Sequence, residues 1–213
     1  MALARALAYD SKIILLDEPL SNLDAQLRIQ MRAELSDLRR RIGFTSVYVT
    51  HDQEEAFALS DRIIVMRDGR IEQQGPPNEI YAAPKTRFVA SFLGMKNIFP
   101  ADLKPGNGDG RLDAQLAPGI VLGARDPWYE GQNGAASAVG FRPVDVEIEP
   151  DGRSPSGTAG IVARTLFLGD VAQYFIRSGP LEICVHDRPR PELAEGTAVR
   201  WRVAPEHCLA LRG

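Results

Sequence analysis

The sequence has only two cysteines, Cys184 and Cys208, and three histidines among 213 residues. There is no C-x-x-C pair and no metal-ligand spacing. A disulfide framework and a zinc site are therefore both excluded, and each cysteine is expected as a small buried apolar side chain of a protein in a reducing cytoplasm. No apolar run approaches the ~20 residues needed to span a bilayer. The first residues, MALARALAYDSK, lack the apolar core of a signal peptide. An excess of basic charge is missing too: the net charge is -3 and the pI near 5.7, which recommends no nucleic-acid partner. The basic run Arg39-Arg40-Arg41 reads as a solvated last helical turn facing the negative end of the helix dipole. What is present is ordinary for a soluble globular chain, 44% hydrophobic and 25% charged, and long enough for one large domain or two small ones.

Two textures divide the chain. Up to about residue 95, apolar strands alternate with amphipathic helices. Ala2 to Tyr9 reads as the end of a helix. Lys12-Ile-Ile-Leu-Leu-Asp17 is a continuous apolar run, suited to a parallel strand covered on both faces. Leu27, Met31, Leu35, Leu38 and Ile42 then recur at three- and four-residue spacing, which predicts a helix from Ala25 to Ile42 with Gly43 as its stop. Ser46 to Thr50 reads as a second buried strand, and Asp52 as the cap of a helix from Gln53 to Leu59. Asp68-Gly69, between Arg62–Met66 and Arg70–Gln74, signals a hairpin. Asn78 to Ala82 and Thr86 to Leu93 read as two short closing helices. From 96 to 213 helical periodicity is lost. Strand-like runs take over at Gly119–Ala124, Ala138–Arg142, Gly160–Phe167, Ala172–Arg177, Leu181–His186 and Ala198–Val203, with loops at 104–111 and 150–158. This half reads as a small all-β barrel or sandwich.

The chemistry-bearing run is Ile13-Ile14-Leu15-Leu16-Asp17-Glu18-Pro19. An apolar strand ending in Asp-Glu places two carboxylates at its C-terminal edge, where open α/β sheets bind ligands. One carboxylate can hold Mg²⁺ and the next can polarise a water for attack on a phosphate. The plain alternative is a strand that ends in solvated acids. Two neighbours weigh against it: Ser21-Asn22-Leu23-Asp24 follows at once, and a later strand ends in Thr50-His51-Asp52.

With those residues the sequence resembles the ABC ATPase family. Leu3-Ala-Arg-Ala-Leu-Ala8 looks like the helix after the family's signature loop, IILLDEP like its Walker B strand, SNLD like its D-loop and VTHDQEEA (49–56) like its switch-histidine segment. The resemblance to importer ATPases runs from residue 2 to about 99. It implies a partial P-loop NTPase sheet with helices in residues 1–95. It further implies that Asp17 contributes to Mg²⁺ coordination, that Glu18 acts as general base or water-polarising residue, that His51 meets the γ-phosphate, and that Asp24 shapes the interface with a second ATPase subunit. Mg-ATP is the implied cofactor. The implied partners are a second copy and membrane-spanning permease subunits, with the chain peripheral to the cytoplasmic face of the membrane.

The departures are as informative. No G-x-x-x-x-G-K-[ST] loop occurs to cradle phosphates, and neither LSGGQ nor the family's Gln-bearing loop is present. The chain begins a few residues after the signature should end, as in an N-terminally truncated subunit. The family's P-loop strand would lie between the strand ending at Thr50 and the strand Arg62–Met66. Without it, residues 1–95 are expected to keep two unpaired edges and to pack imperfectly or against another chain. The chain alone is expected neither to hold ATP tightly nor to hydrolyse it.

In the second half, Gly140-Phe-Arg-Pro-Val-Asp-Val146 and Leu166-Phe-Leu-Gly-Asp170 resemble runs in the OB-like TOBE barrel of importer ATPases for polyamines, ferric iron, sulfate and sugars. Phe88 to Pro100 resembles the connecting segment and points weakly to the polyamine or ferric-iron type. A different reading keeps the same residues: a non-catalytic remnant whose barrel, residues 96–213, acts as a small-molecule sensor. An ABC ATPase of DNA repair or translation is disfavoured by the acidic pI and the barrel. Trp128 and Trp201 read as packing residues, and His186 and His207, both placed on strands, receive no role.

Overall fold

A computed structural model describes residues 12–108, 110–129, 136–152 and 156–213. The helix read at Ala2–Tyr9 lies outside them. The chain folds as two units, Met1–Ala82 and Ala83–Gly213.

The first unit is α/β. Strand β1 (Ile13–Asp17) pairs in parallel with β2 (Thr45–Val49), Leu16 opposite Tyr48 and Asp17 opposite Val49. Between them runs α1 (Ala25–Ile42), the crossover a parallel pair requires. Asp24 caps its start, accepting from Leu27 N. Gly43, at φ 74, closes its end with a left-handed residue whose N–H reaches Arg39 O. Arg39, in that basic last turn, also binds Leu59 O and Asp61. A short α2 (Gln53–Leu59) leads to the hairpin β3 (Ile63–Arg67) and β4 (Arg70–Gly75). Its turn residues Asp68 and Gly69 sit at φ 50 and 75, the doubly positive geometry of a tight hairpin turn. Helix α3 (Pro77–Ala82) closes the unit, and its Tyr81 packs edge-on against Phe57 of α2.

The expectation that β1 and β2 are covered on both faces is met on one face only. Ile14 and Leu16 are buried, and Leu16 and Leu35 line one hollow with Phe44 and Tyr48. On the other face Ile13, Leu15, Val47 and Val49 are 59, 76, 53 and 52% exposed. The alternation of strand side chains explains this: α1 covers one side, and no described element covers the other. The helix stripe is correspondingly thin, with only Leu35 buried. Strands β2 and β3 do not pair; each belongs to its own two-stranded sheet among the described residues.

The second unit is all-β after α4 (Arg87–Phe92), whose start Thr86 caps through Val89 N. Strands β5 (Asn97–Pro100), β6 (Asp102–Pro105), β7 (Arg111–Ala117), β8 (Ile120–Arg125) and β9 (Ala136–Phe141) contribute to a six-stranded sheet. Strands β10 (Val146–Pro150), β11 (Thr158–Phe167), β12 (Ala172–Ser178), β13 (Leu181–Asp187) and β14 (Ala198–Val203) form a five-stranded one. The last strand, β15 (Leu209–Arg212), enters the first sheet. The strand orders are β5-β9-β15-β8-β7-β6 and β10-β14-β11-β12-β13. Both sheets share one core, in which Phe141 stacks on the fully buried Trp201 at 6.2 Å. Edge strands β5 and β13 are tied by the buried Asn97, whose amide donates to Cys184 O at 2.8 Å and accepts from Cys184 N at 2.7 Å.

The boundary near residue 95 suggested by the change of texture falls inside this second unit. Helix α4 goes with the barrel because Ala90 and Met95 pack against Ala138, Leu209 and Leu211, while Thr86 bridges to Arg212. In the same layer a Cβ on Gly140 would collide with Met95 Sδ and Leu211 Cδ1, so this glycine serves close packing. Both cysteines are buried, as expected, and free. His207 lies in a short 3-10 turn rather than on a strand, 3.7 Å from Asp145. Its neighbour Pro205 starts that turn, and a proline supplies no N–H to a ladder.

Candidate functional site

The site forms where β1 and β2 end together. In a parallel pair the two C-termini share one edge, and the register brings Glu18 beside the residues that follow Val49. Glu18 N donates to Val49 O at 2.9 Å, so the chain stays tethered one residue beyond the strand. There it turns sharply. Glu18 adopts φ 44, a left-handed conformation that side chains with a Cβ seldom take. Its carbonyl is fixed by Ser21, which donates from N at 3.2 Å and from Oγ at 2.9 Å. The turn points the Glu18 carboxylate at His51, and Oε1 lies 3.0 Å from Nδ1. The His51 side chain is 72% exposed and that of Glu18 45%. The hydrogen bond to Glu18, reinforced by its negative charge, raises the His51 pKa above the ordinary imidazole value.

His51 sits on a loop braced from below. Asp52 caps α2, accepting from Glu54 N at 2.8 Å and Glu55 N at 3.2 Å. Its own N–H donates to Thr50 Oγ1 at 2.9 Å. The Thr50 hydroxyl donates in turn to Glu55 Oε2 at 2.8 Å, and Tyr48 OH reaches the same oxygen at 3.0 Å. Burial, then the carboxylate of Glu55, raises the Tyr48 pKa and keeps the phenol a donor. Arg28 of α1 joins this loop to the earlier turn. Its Nη2 donates to Leu23 O at 3.1 Å, and Nη1 lies 3.6 Å from Asp52 Oδ2.

Of the residues singled out from the sequence, Glu18 and His51 meet. Asp17 is the exposed last residue of β1, adjacent to Glu18 in the chain. Asp24 does not join them; its carboxylate is engaged at the start of α1, accepting from Leu27 N at 2.9 Å. Arg28, Ser21 and Glu55 escaped the sequence reading. Glu55 carried a signal nonetheless, because Asp52-x-x-Glu55 has the spacing of a helix capping box. In the second unit, Arg142 of the Gly-Phe-Arg-Pro run is buried and donates to Leu93 O at 2.7 Å.

Among the described residues, no group of three or more His, Cys, Asp or Glu side chains is arranged to hold a metal. A single exposed carboxylate suits Mg²⁺ shared with phosphate oxygens, and does not suit a metal held by protein alone.

Residues 139–211 match the TOBE domain family, and the second unit contains that domain. Similar proteins extend across both units. The Fe(3+) ions import ATP-binding protein FbpC 1 of Rhizobium meliloti is 40% identical over 206 residues, 96% of this chain and 55% of that protein. The FbpC protein of Brucella melitensis is 42% identical over 182 residues, 84% of this chain and 48% of that protein. The Spermidine/putrescine import ATP-binding protein PotA of Rubrobacter xylanophilus is 40% identical over 223 aligned positions, 100% of this chain and 57% of that protein. The chain spans about half the length of these relatives. It belongs to the ATP-binding subunits of ABC importers that carry a C-terminal TOBE domain.

Proposed function

We propose that this chain supplies the metal-and-water half of an ATP-hydrolysing site in an importer subunit. The observation that carries the reading is the Glu18–His51 contact at the shared edge of β1 and β2. Glu18, partly exposed and aimed by its turn, is the general base that orients and polarises the attacking water. His51, held at Glu18, meets the γ-phosphate with the face that its exposure leaves open. Its raised pKa favours the cationic imidazolium there. Asp17 contributes one carboxylate to Mg²⁺, which when bound neutralises phosphate charge. Asp24 holds the turn that faces a second copy of the ATPase subunit.

The remaining partners are membrane-spanning permease subunits, with the chain peripheral at the cytoplasmic face of the membrane. No helix among the described residues is long and apolar enough to cross a membrane. Ferric iron and polyamines are the solutes in the relatives' names, and the cargo belongs to one of these two types. Residues 1–95 furnish the ATPase portion and 96–213 the TOBE portion, except that the stretch from Ala83, with α4, packs with the barrel.

Alone, the chain does not hydrolyse ATP, because its sequence has no G-x-x-x-x-G-K-[ST] loop and no LSGGQ. Backbone N–H groups and the lysine of such a loop provide the grip on phosphates. Titration calorimetry of the chain with Mg-ATP tests this: no saturable binding is expected below about 1 mM. Micromolar affinity would overturn it.

A further inference from the structure

The buried carboxylate of Glu55 has no part in the roles assigned so far. It is 2% exposed, whereas the other described acids of this unit are exposed or half-buried. A buried carboxylate is costly unless hydrogen-bonded, and this one collects two hydroxyls, Tyr48 OH at 3.0 Å and Thr50 Oγ1 at 2.8 Å. Tyr48 belongs to β2 and Thr50 follows its last residue, while Glu55 lies in the first turn of α2. The bonds therefore staple the end of a strand to the start of a helix. The residue pinned between the staples is His51. Thr50 on one side donates to Glu55 and accepts from Asp52 N; Asp52 on the other side caps the same helix turn. Such a loop has little freedom left in its backbone, and among the described residues the largely exposed His51 ring hydrogen-bonds to Glu18.

We propose that Glu55 is the positioning residue of this site: its buried carboxylate, acting through Thr50, holds the loop that presents His51 to Glu18. The inference rests on the reading of Glu18 and His51 as the working pair. Glu55 acts through Tyr48 and Thr50 and fixes where the imidazole stands. A general capping or packing role for Glu55 would stabilise α2 without governing the His51 ring, and the two roles separate experimentally.

The test uses side-chain nitrogen and carbon-bound proton resonances of histidine in the isotope-labelled chain, with His51 assigned by His51→Ala. In the parent, His51 Nδ1 carries the signature of a hydrogen-bonded ring nitrogen, and Glu18→Gln defines the position without the carboxylate. Glu55→Ala is expected to move the His51 signals most of the way to that position. Thr50→Val, which removes the bond to Glu55 together with the acceptor of Asp52 N, is expected to do the same, and Glu55→Gln, which keeps both that hydroxyl and an acceptor oxygen, to stay near the parent. If Glu55→Ala and Thr50→Val weaken amide protection in α2 but leave the His51 ring signals unmoved, the proposal is wrong. If Glu55→Ala fails to fold, Thr50→Val decides by the same criterion. The readout needs no nucleotide. Failure here would leave the ATP reading untouched, since that reading is tested by hydrolysis, and failure of that reading would leave the His51 geometry as measured.

Discussion

Glu18 and His51, 33 residues apart in sequence, meet at 3.0 Å because two parallel strands end at the same level and each is followed by a braced turn. The strands set the height. The left-handed Glu18 and the capping residue Asp52 set the direction. The geometry of this edge depends on those turns more than on the strands, and the consequences are measurable.

The first concerns pH. The Glu18 hydrogen bond, then its charge, raises the His51 pKa above the ordinary 6.5. A folded value above the unfolded one means that protonated His51 favours the folded state. The contribution is fully present below the unfolded value and is lost as pH rises through the raised folded value. NMR titration should place His51 above a free histidine, and Glu18→Gln should bring it back. His186 moves the other way, lowered by burial and then by Lys96, so the two rings report separately. A His51 midpoint unchanged by Glu18→Gln would refute the contact in solution.

The second concerns Asn97. Its amide satisfies both backbone groups of Cys184 in the buried seam between β5 and β13. Asn97→Ala leaves that N–H and that carbonyl unpaired, and the second unit should lose about 2–4 kcal/mol. Denaturant unfolding followed by the fluorescence of the buried Trp201 measures it. A loss within about 0.5 kcal/mol, the size of an ordinary surface change, would show the seam to be dispensable.

The third concerns the uncovered sheet face. Ile13, Leu15, Val47 and Val49 form an exposed apolar patch, and such patches bind partners or hydrophobic dyes. The chain should enhance the fluorescence of an anilinonaphthalene sulfonate dye. Leu15→Lys, at the most exposed of the four, should weaken that enhancement while shifting stability by no more than about 0.5 kcal/mol. Dye binding unaffected by Leu15→Lys would place the dye elsewhere.

Much of this was legible in the sequence. The α1 helix with its Gly43 stop, the Asp52 cap and the Asp68-Gly69 hairpin each rest on local chemistry, and each occurs where that chemistry places it. The pair Glu18 and His51 was legible from motif order. Its bond was not, because the meeting depends on register and on the positive φ of Glu18, which no local signal announces. The exposed face of β1 was read as buried because a continuous apolar run implies cover on both sides, whatever the cover is made of. Short strands such as β5, β6 and β15 passed unnoticed. Four residues carry little periodicity, and pairing across the sheet defines them. The Glu55 staple was hidden because charged residues in a helix's first turn are ordinarily solvated.

The central claim is that Glu18 and His51 are half of an ATP site, and a hybrid subunit tests it most directly. Fused to a segment that carries a G-x-x-x-x-G-K-[ST] loop and an LSGGQ run, the chain would gain a phosphate-binding half. The account predicts a folded hybrid that hydrolyses Mg-ATP and loses about 10²–10⁴-fold in rate on Glu18→Gln, the usual contribution of a positioned general base, with a comparable loss on His51→Ala. A hybrid that hydrolyses ATP at the same rate with and without these two side chains would contradict it.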